Sequence, residues 1–537
     1  MPDGSRPLFS VDRRAFLQAA SLAAAAGALA SPLDALAQSS ARYTRIHIPA
    51  GAHSAMRGAA GIVAGKLGLF PRSDTMRLNK LFFFLLLSAT FAMVRAQAPS
   101  PATAPPTPKP PVMTPRPPPS VVAGIPVNYD QSKVGEYTLP DPLRLDNGKT
   151  VRNAKTWWTK RRPEIVKIFE MQQYGIAPGR PADESFNVVE KGSAFDGKAL
   201  RKQVVISLSK DPSWPKIHLL VYLPAAAKEP VPMYFTISFA PNQCMTNDPA
   251  IIPEEGWNPR THVKMMPTRS YCFFGRVPVE RLLDAGLGVA TFYYGDVDPD
   301  YAEGFKDGIR AHYLHPGQTE RAPGAWGSIA AWAWGMSRVE DYFETDPQID
   351  AKRVAIQGVS RLGKTVMWAG AHDQRFAAVI ASCSGEGGAA LSRRDFGETI
   401  AHLTAPSRYP FQFAENYAKW GGFPDKAPMD ANMLVALVAP RPLLLQTGST
   451  NYWSDPKGEF LAEVAAGPVY KLLGKDPLDT DVWPAPKTPI LHDLAYYMHE
   501  GGHGMVPSDW DIYLQFLTMH LHPDSGREVF LRNRNLY

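Results

Sequence analysis

The chain is short of several things that would otherwise fix its class. Among its 537 residues there are three cysteines, Cys244, Cys272 and Cys383, too few for a disulfide scaffold. The formal net charge is only +6, and no dense basic run with interleaved aromatic residues marks a nucleic-acid surface. Internal repeats are lacking, which excludes a solenoid or propeller. The apolar stretch Leu81 to Met93 is too short for a membrane span.

What is present begins with two export signals in tandem. Asp12-Arg13-Arg14-Ala15-Phe16-Leu17 runs through an alanine-rich stretch to Ala35-Leu-Ala37, the form of a twin-arginine leader with a small-residue cleavage site. A stronger signal begins at Met76, with Arg77 and Lys80 as its basic start, Leu81 to Met93 as its apolar core and Ala96 or Ala98 before the cut. An export signal does not act from mid-chain. The expected start is therefore Met76, residues 1–75 being an over-extended reading frame and 76–98 a Sec-type signal peptide; a retained membrane anchor is the alternative. Either way the product is periplasmic or secreted, and free of the membrane once the signal is cleaved. Export also permits one disulfide, expected between Cys244 and Cys272, with Cys383 left as a buried thiol.

Residues 99–126 are dense in proline with Ala, Thr and Ser, and are expected to form an extended spacer. From 127 to 537 the pattern is globular and of a size that one large α/β domain fills. Strands are expected at 202–208, 217–223, 233–239, 286–294, 377–382, 442–446 and 494–498, and helices at 279–283, 326–343, 361–371 and 509–520. This alternation predicts a mostly parallel sheet with helices on both faces.

One segment carries chemistry. Arg353-Val-Ala-Ile-Gln-Gly358-Val-Ser360-Arg361-Leu-Gly363-Lys364 reads as a strand, a glycine-flanked serine and a helix, the form of a nucleophile elbow that lifts a hydroxyl towards a base and leaves backbone N–H groups free for an oxyanion. The strict spacing is not met, because Leu362 holds the second small position and Gly363 follows it. A base for Ser360 is expected at His503, a loop histidine after the last strand and before the last helix. The order serine, acid, histidine is that of an α/β-hydrolase.

His499-Glu500-Gly-Gly-His503 also matches the zinc pattern HExxH, which needs both histidines on one helix face. Two adjacent glycines would cost such a helix about 2 kcal/mol against alanine, and the preceding residues read as strand, so no metal or cofactor is expected. For the acid that orients the histidine, Glu386 after the 377–382 strand is the first choice and Asp455 after the 442–446 strand the second. Either would fix the tautomer and stabilise the imidazolium.

With Gly358-Val-Ser360-Arg361-Leu-Gly363-Lys364, Gly385-Glu386 to Glu398, Trp453-Ser-Asp455-Pro-Lys-Gly-Glu459 and Gly502-His503-Gly504, the chain resembles bacterial glucuronoyl esterases of carbohydrate esterase family 15, over about 127 to the C-terminus. The resemblance implies Ser360 as nucleophile, His503 as base, and Arg361 as an oxyanion contributor through its N–H and guanidinium. It implies that Lys364, Glu398 and Trp453 hold the glucuronate sugar. Two cations in a first helical turn oppose the helix dipole, and an anionic transition state supplies a reason for them. The implied reaction is metal-free hydrolysis of 4-O-methyl-glucuronoyl esters, such as link glucuronoxylan to lignin alcohols in the plant cell wall. An acetyl-xylan or other carbohydrate esterase, and a non-catalytic carbohydrate-binding relic, are the alternatives. The chain departs from the family at two acid positions, which hold Cys383 and Asn451.

Overall fold

The computed structural model describes residues 118–258, 260–267, 276–314, 318 and 322–522. Both export signals, most of the proline-rich stretch and Cys272 lie outside them. The described residues fall in one compact unit, 115–537. Its last spacer residues are folded: Val121–Val122 pairs antiparallel with Ile125–Pro126, and the Ile125 carbonyl meets His402 Nε2 at 3.4 Å. The spacer boundary expected at 126 therefore comes several residues too late, because proline content hides a two-residue pairing.

The frame is a ten-stranded sheet. In chain order its strands are β1 Ser185–Ala194, β2 Ala199–Ser207, β3 Lys216–Pro224, β4 Val231–Ser238, β5 Gly288–Tyr293, β6 Ile349–Val359, β7 Ala378–Ser382, β8 Leu443–Gly448, β9 Ile490–Leu491 and β10 Leu494–His499. Across the sheet they run β9-β10-β8-β7-β6-β4-β5-β3-β2-β1. The block from β10 to β5 is parallel, while β1, β2 and β3 form an antiparallel extension and β9 an antiparallel edge. This is the predicted mostly parallel sheet of an α/β-hydrolase.

Alternation along the central strands feeds two cores. Val354 and Ile356 of β6 and Leu443 and Leu445 of β8 face one core, and Ala355 and Leu444 face the other. The helices that cover the first are α1 Arg162–Phe169, α3 Ser328–Phe343, α4 Arg361–His372, α5 Ala431–Val438 and α6 Pro456–Leu472. The second is covered by α2 Val279–Asp284 and α7 Asp509–Leu521. Burying an aromatic or aliphatic side chain of this kind stabilises by roughly 1.5–3 kcal/mol. Register then aligns the strand ends, Gly358 beside Ala381 and Val359 beside Ser382, so the loops after β6, β7, β8 and β10 share one rim.

Among the described residues no helix is long and apolar enough to cross a membrane. Cys244 is disulfide-bonded, and Cys383 is a free, buried thiol.

Candidate active site

Ser360 sits between β6 and α4 at φ 60 and ψ −127, a backbone state that costs a non-glycine residue of order 1–3 kcal/mol. Two close passes hold it there. A Cβ on Gly358 would lie 2.2 Å from the Leu362 carbonyl oxygen, and one on Gly363 would lie 2.7 Å from that of Ser382. The second contact explains the shifted spacing of the motif, since it is the third residue after the serine that must slide over the end of β7. Ser360 N–H donates to the Ser382 carbonyl at 2.8 Å, and Lys364 N–H to the Ser360 carbonyl at 3.0 Å. The first N–H groups of α4 thus open beside the hydroxyl without intrahelical partners.

Arg361 and Lys364 leave this turn towards different partners. The Arg361 guanidinium pairs with Asp300 and lies 4.6 Å from the centre of the Tyr409 ring. Burial alone would lower its pKa, but Asp300, with Tyr294 and Tyr409, together offset this and the net shift is upward. Lys364 is buried. Its Nζ donates to the Ser384 carbonyl at 2.7 Å and stands 3.7 Å from Glu398. Burial lowers its pKa, Glu398 opposing and Arg361 adding to the fall.

Glu398 and Trp453 are neighbours through the backbone, Glu398 N–H donating to the Trp453 carbonyl at 2.8 Å. Gly397, at φ +67, allows the pass, because a Cβ there would lie 2.3 Å from the Tyr452 carbonyl oxygen. Arg408 pairs with Glu398 at 3.1 Å and lies over both Tyr409 and Trp453. Lys364, Glu398 and Trp453 are therefore brought together, with Arg408 and Tyr409 as additions that no sequence motif announced.

His503 lies in a loop pinned by its backbone. Thr450 N–H donates to the Gly501 carbonyl at 2.8 Å, His499 Nε2 meets the Gly502 carbonyl at 3.2 Å, and Gly504 N–H meets the Cys383 sulfur at 3.4 Å. Desolvation, then the charges of Lys364 and Arg361, push the His503 pKa down to about 4. All three side chains thus share one electrostatic neighbourhood at the mouth of the elbow. His499 behaves oppositely. Burial opposes protonation, but Asp509, at 3.2 Å from Nδ1, raises its pKa.

The Glu386 carboxylate accepts from Ser392 Oγ at 2.7 Å, Tyr417 Oη at 2.8 Å and Gly387 N–H at 3.0 Å, and burial pushes its pKa up to about 8. Asp455 is held by Arg394 Nε at 2.7 Å. Both expected acids thus make bonds to other groups, Glu386 to Ser392, Tyr417 and Gly387 and Asp455 to Arg394. Cys383 directly follows β7 at φ 49, beneath the histidine loop. Burial pushes its thiol up to about 12, so it is neutral there. The HExxH pattern is not on a helix: His499 ends β10, its ring is taken by Asp509 and Gln446, and Glu500 pairs with Lys487 at 2.5 Å.

Another cluster lies further along the sheet, on β3 and two loops. His218, Glu254 and Asp296 bring ligand-type atoms within 4.8 Å of one another. His218 Nδ1 and its backbone N–H both engage Asp296 Oδ2, at 3.0 and 2.9 Å, a pairing that ties β3 to the loop after β5.

The chain is similar to known proteins. The family described as "Glucuronyl esterase, fungi" matches residues 279–474. The chain is 42% identical over 401 residues to a carbohydrate esterase of an unknown prokaryotic organism, spanning 73% of this chain and 92% of that one. A solved glucuronoyl esterase from Solibacter usitatus is 44% identical, superposes with a TM-score of 0.69, and covers 72% of this chain and 99% of its own. A 4-O-methyl-glucuronoyl methylesterase of Cerrena unicolor is 28% identical over 361 residues, 66% of this chain and 65% of that one.

Proposed function

Because the chain belongs to the glucuronoyl esterases of carbohydrate esterase family 15, we propose that it hydrolyses 4-O-methyl-glucuronoyl esters through an acyl-enzyme on Ser360. The observation that carries this is the elbow itself: a serine at positive φ, with two cations from the following helical turn at the same mouth.

In this reading Ser360 Oγ attacks the uronate carbonyl and His503 takes its proton. The oxyanion meets the free N–H groups opening α4 and the Arg361 guanidinium, where loss of one such donor typically costs about 10² to 10³ in rate. Collapse expels the alcohol, protonated by His503, and water then attacks the acyl-enzyme under the same base. Lys364, Glu398 and Trp453 hold the sugar, Glu398 lying between Lys364 and Arg408 while the Trp453 ring offers a face to the pyranose. Glu386, or failing it Asp455, is the acid that would orient His503, whose loop is held by contacts with Cys383, His499 and Thr450. In the plant cell wall the corresponding ester joins glucuronoxylan to lignin alcohols, and secretion would bring the enzyme to it.

Initial rates on benzyl glucuronate and on acetylated xylan test the substrate class. The expected result is turnover of the glucuronate ester with little release of acetate. A preference for acetylated xylan would make the chain an acetyl esterase on the same fold, and binding of glucuronate without turnover would make it a relic.

A further inference from the structure

We propose that Asp300 and Tyr409 are positioning residues that aim the Arg361 guanidinium at the oxyanion site. This rests on the proposed role of Arg361 at Ser360.

An arginine at the first position of a helix has reason to turn away. Its charge opposes the helix dipole, and its long side chain loses rotamer freedom when fixed. Here the guanidinium is held on an edge and a face at once. Asp300 Oδ2 accepts from its Nη1, and the Tyr409 ring lies 4.6 Å from its central carbon. The Asp300 side chain is 7% exposed, and its other oxygen accepts from Gln412 Nε2 at 2.7 Å, so the carboxylate cannot swing to follow a moving arginine.

The supports run further. Two residues earlier, Asp298 pairs with buried Arg310 at 2.8 Å, and its carbonyl accepts from Trp332 Nε1 of α3 at 2.7 Å, which anchors the loop bearing Asp300. On the other side, Arg408 lies 4.7 Å from the same Tyr409 ring, so the ring is flanked by two guanidiniums. An arginine has five N–H donors, and holding one edge by a carboxylate leaves others for a developing oxyanion. The clamp weakens the net charge at the site but removes the search for a productive rotamer, which is the larger cost when a group must act within a fixed geometry.

The test measures kcat and KM on a glucuronate ester for Arg361→Ala, Asp300→Ala, Asp300→Asn, Tyr409→Leu, and Asp300→Ala combined with Arg361→Ala, each checked by circular dichroism. Asp300→Ala is expected to lower kcat about tenfold or more with KM little changed, and Asp300→Asn, which keeps the acceptor, to recover most of that loss. In the Arg361→Ala background the Asp300 substitution is expected to cost less than about twofold. Tyr409→Leu leaves no buried charge unpaired and provides the same reading should Asp300→Ala fail to fold. An Asp300 effect of equal size in both backgrounds, or no effect on kcat from either Asp300→Ala or Tyr409→Leu, would overturn the clamp while leaving Arg361 in place. If Arg361→Ala alone keeps full kcat, the oxyanion role itself fails, and the clamp with it.

Discussion

The residues around Ser360 set its working pH range. A general base must be neutral, and His503 is held near a pKa of about 4 by desolvation and by Lys364 and Arg361, so kcat/KM should stay level on acidification to about pH 5 and fall below it. Lys364→Met removes one of the two cations and is expected to shift this acid limb to higher pH. An unmoved limb would mean that another group sets it. Glu386 gives a second residue-scale test. As the acid that orients His503, it should make Glu386→Gln costly in kcat, since amide substitution of a working triad aspartate costs on the order of 10⁴; kcat kept within about threefold would pass the role to Asp455. At this scale the sequence made Ser360, Arg361, Lys364 and His503 legible because each lies within a few residues of a glycine-marked turn. Asp300, Arg408 and Tyr409 were not legible, since they reach the site from loops separated from the elbow by dozens of residues.

Strands and turns explain why the elbow takes an unusual spacing. Gly358 is needed because the Leu362 carbonyl passes at 2.2 Å from where a Cβ would be, and backbone cannot yield as a side-chain tip can. Gly358→Ala is expected to destabilise by about 1–3 kcal/mol and to lower kcat/KM by displacing Ser360; an unchanged melting temperature would contradict this. The central parallel strands were readable as apolar runs ending in turns, as at Val354 to Ile356. The edge strand β1 was missed because exposed residues such as Val188 and Val189 leave no clean inside–outside alternation. The long helix α6 was missed because Pro468 and Gly467 interrupt its pattern, although Phe460, Val469 and Tyr470 bury one side. The surroundings of the candidate acid were not legible: Ser392 and Tyr417, neither adjacent in sequence to Glu386, supply bonds to its carboxyl.

For the molecule as a whole, buried carboxyls link stability to pH. Burial raises Glu459 from its ordinary value to about 7 and Glu463, one helical turn on, well above its own. A raised carboxyl favours the folded state fully below its unfolded pKa, and that contribution is lost as pH rises through the folded one. Glu459→Gln should therefore lessen the fall in melting temperature between pH 5 and pH 8.5; an equal fall in both proteins would place the linkage elsewhere. The account as a whole depends on Ser360 acting as a nucleophile in a metal-free site, and the rate of hydrolysis of a glucuronate methyl ester by Ser360→Ala, beside the unaltered enzyme, tests that most directly. Loss of turnover by about 10³ or more, with the fold intact, is predicted; turnover retained in Ser360→Ala and abolished by a chelator would contradict it.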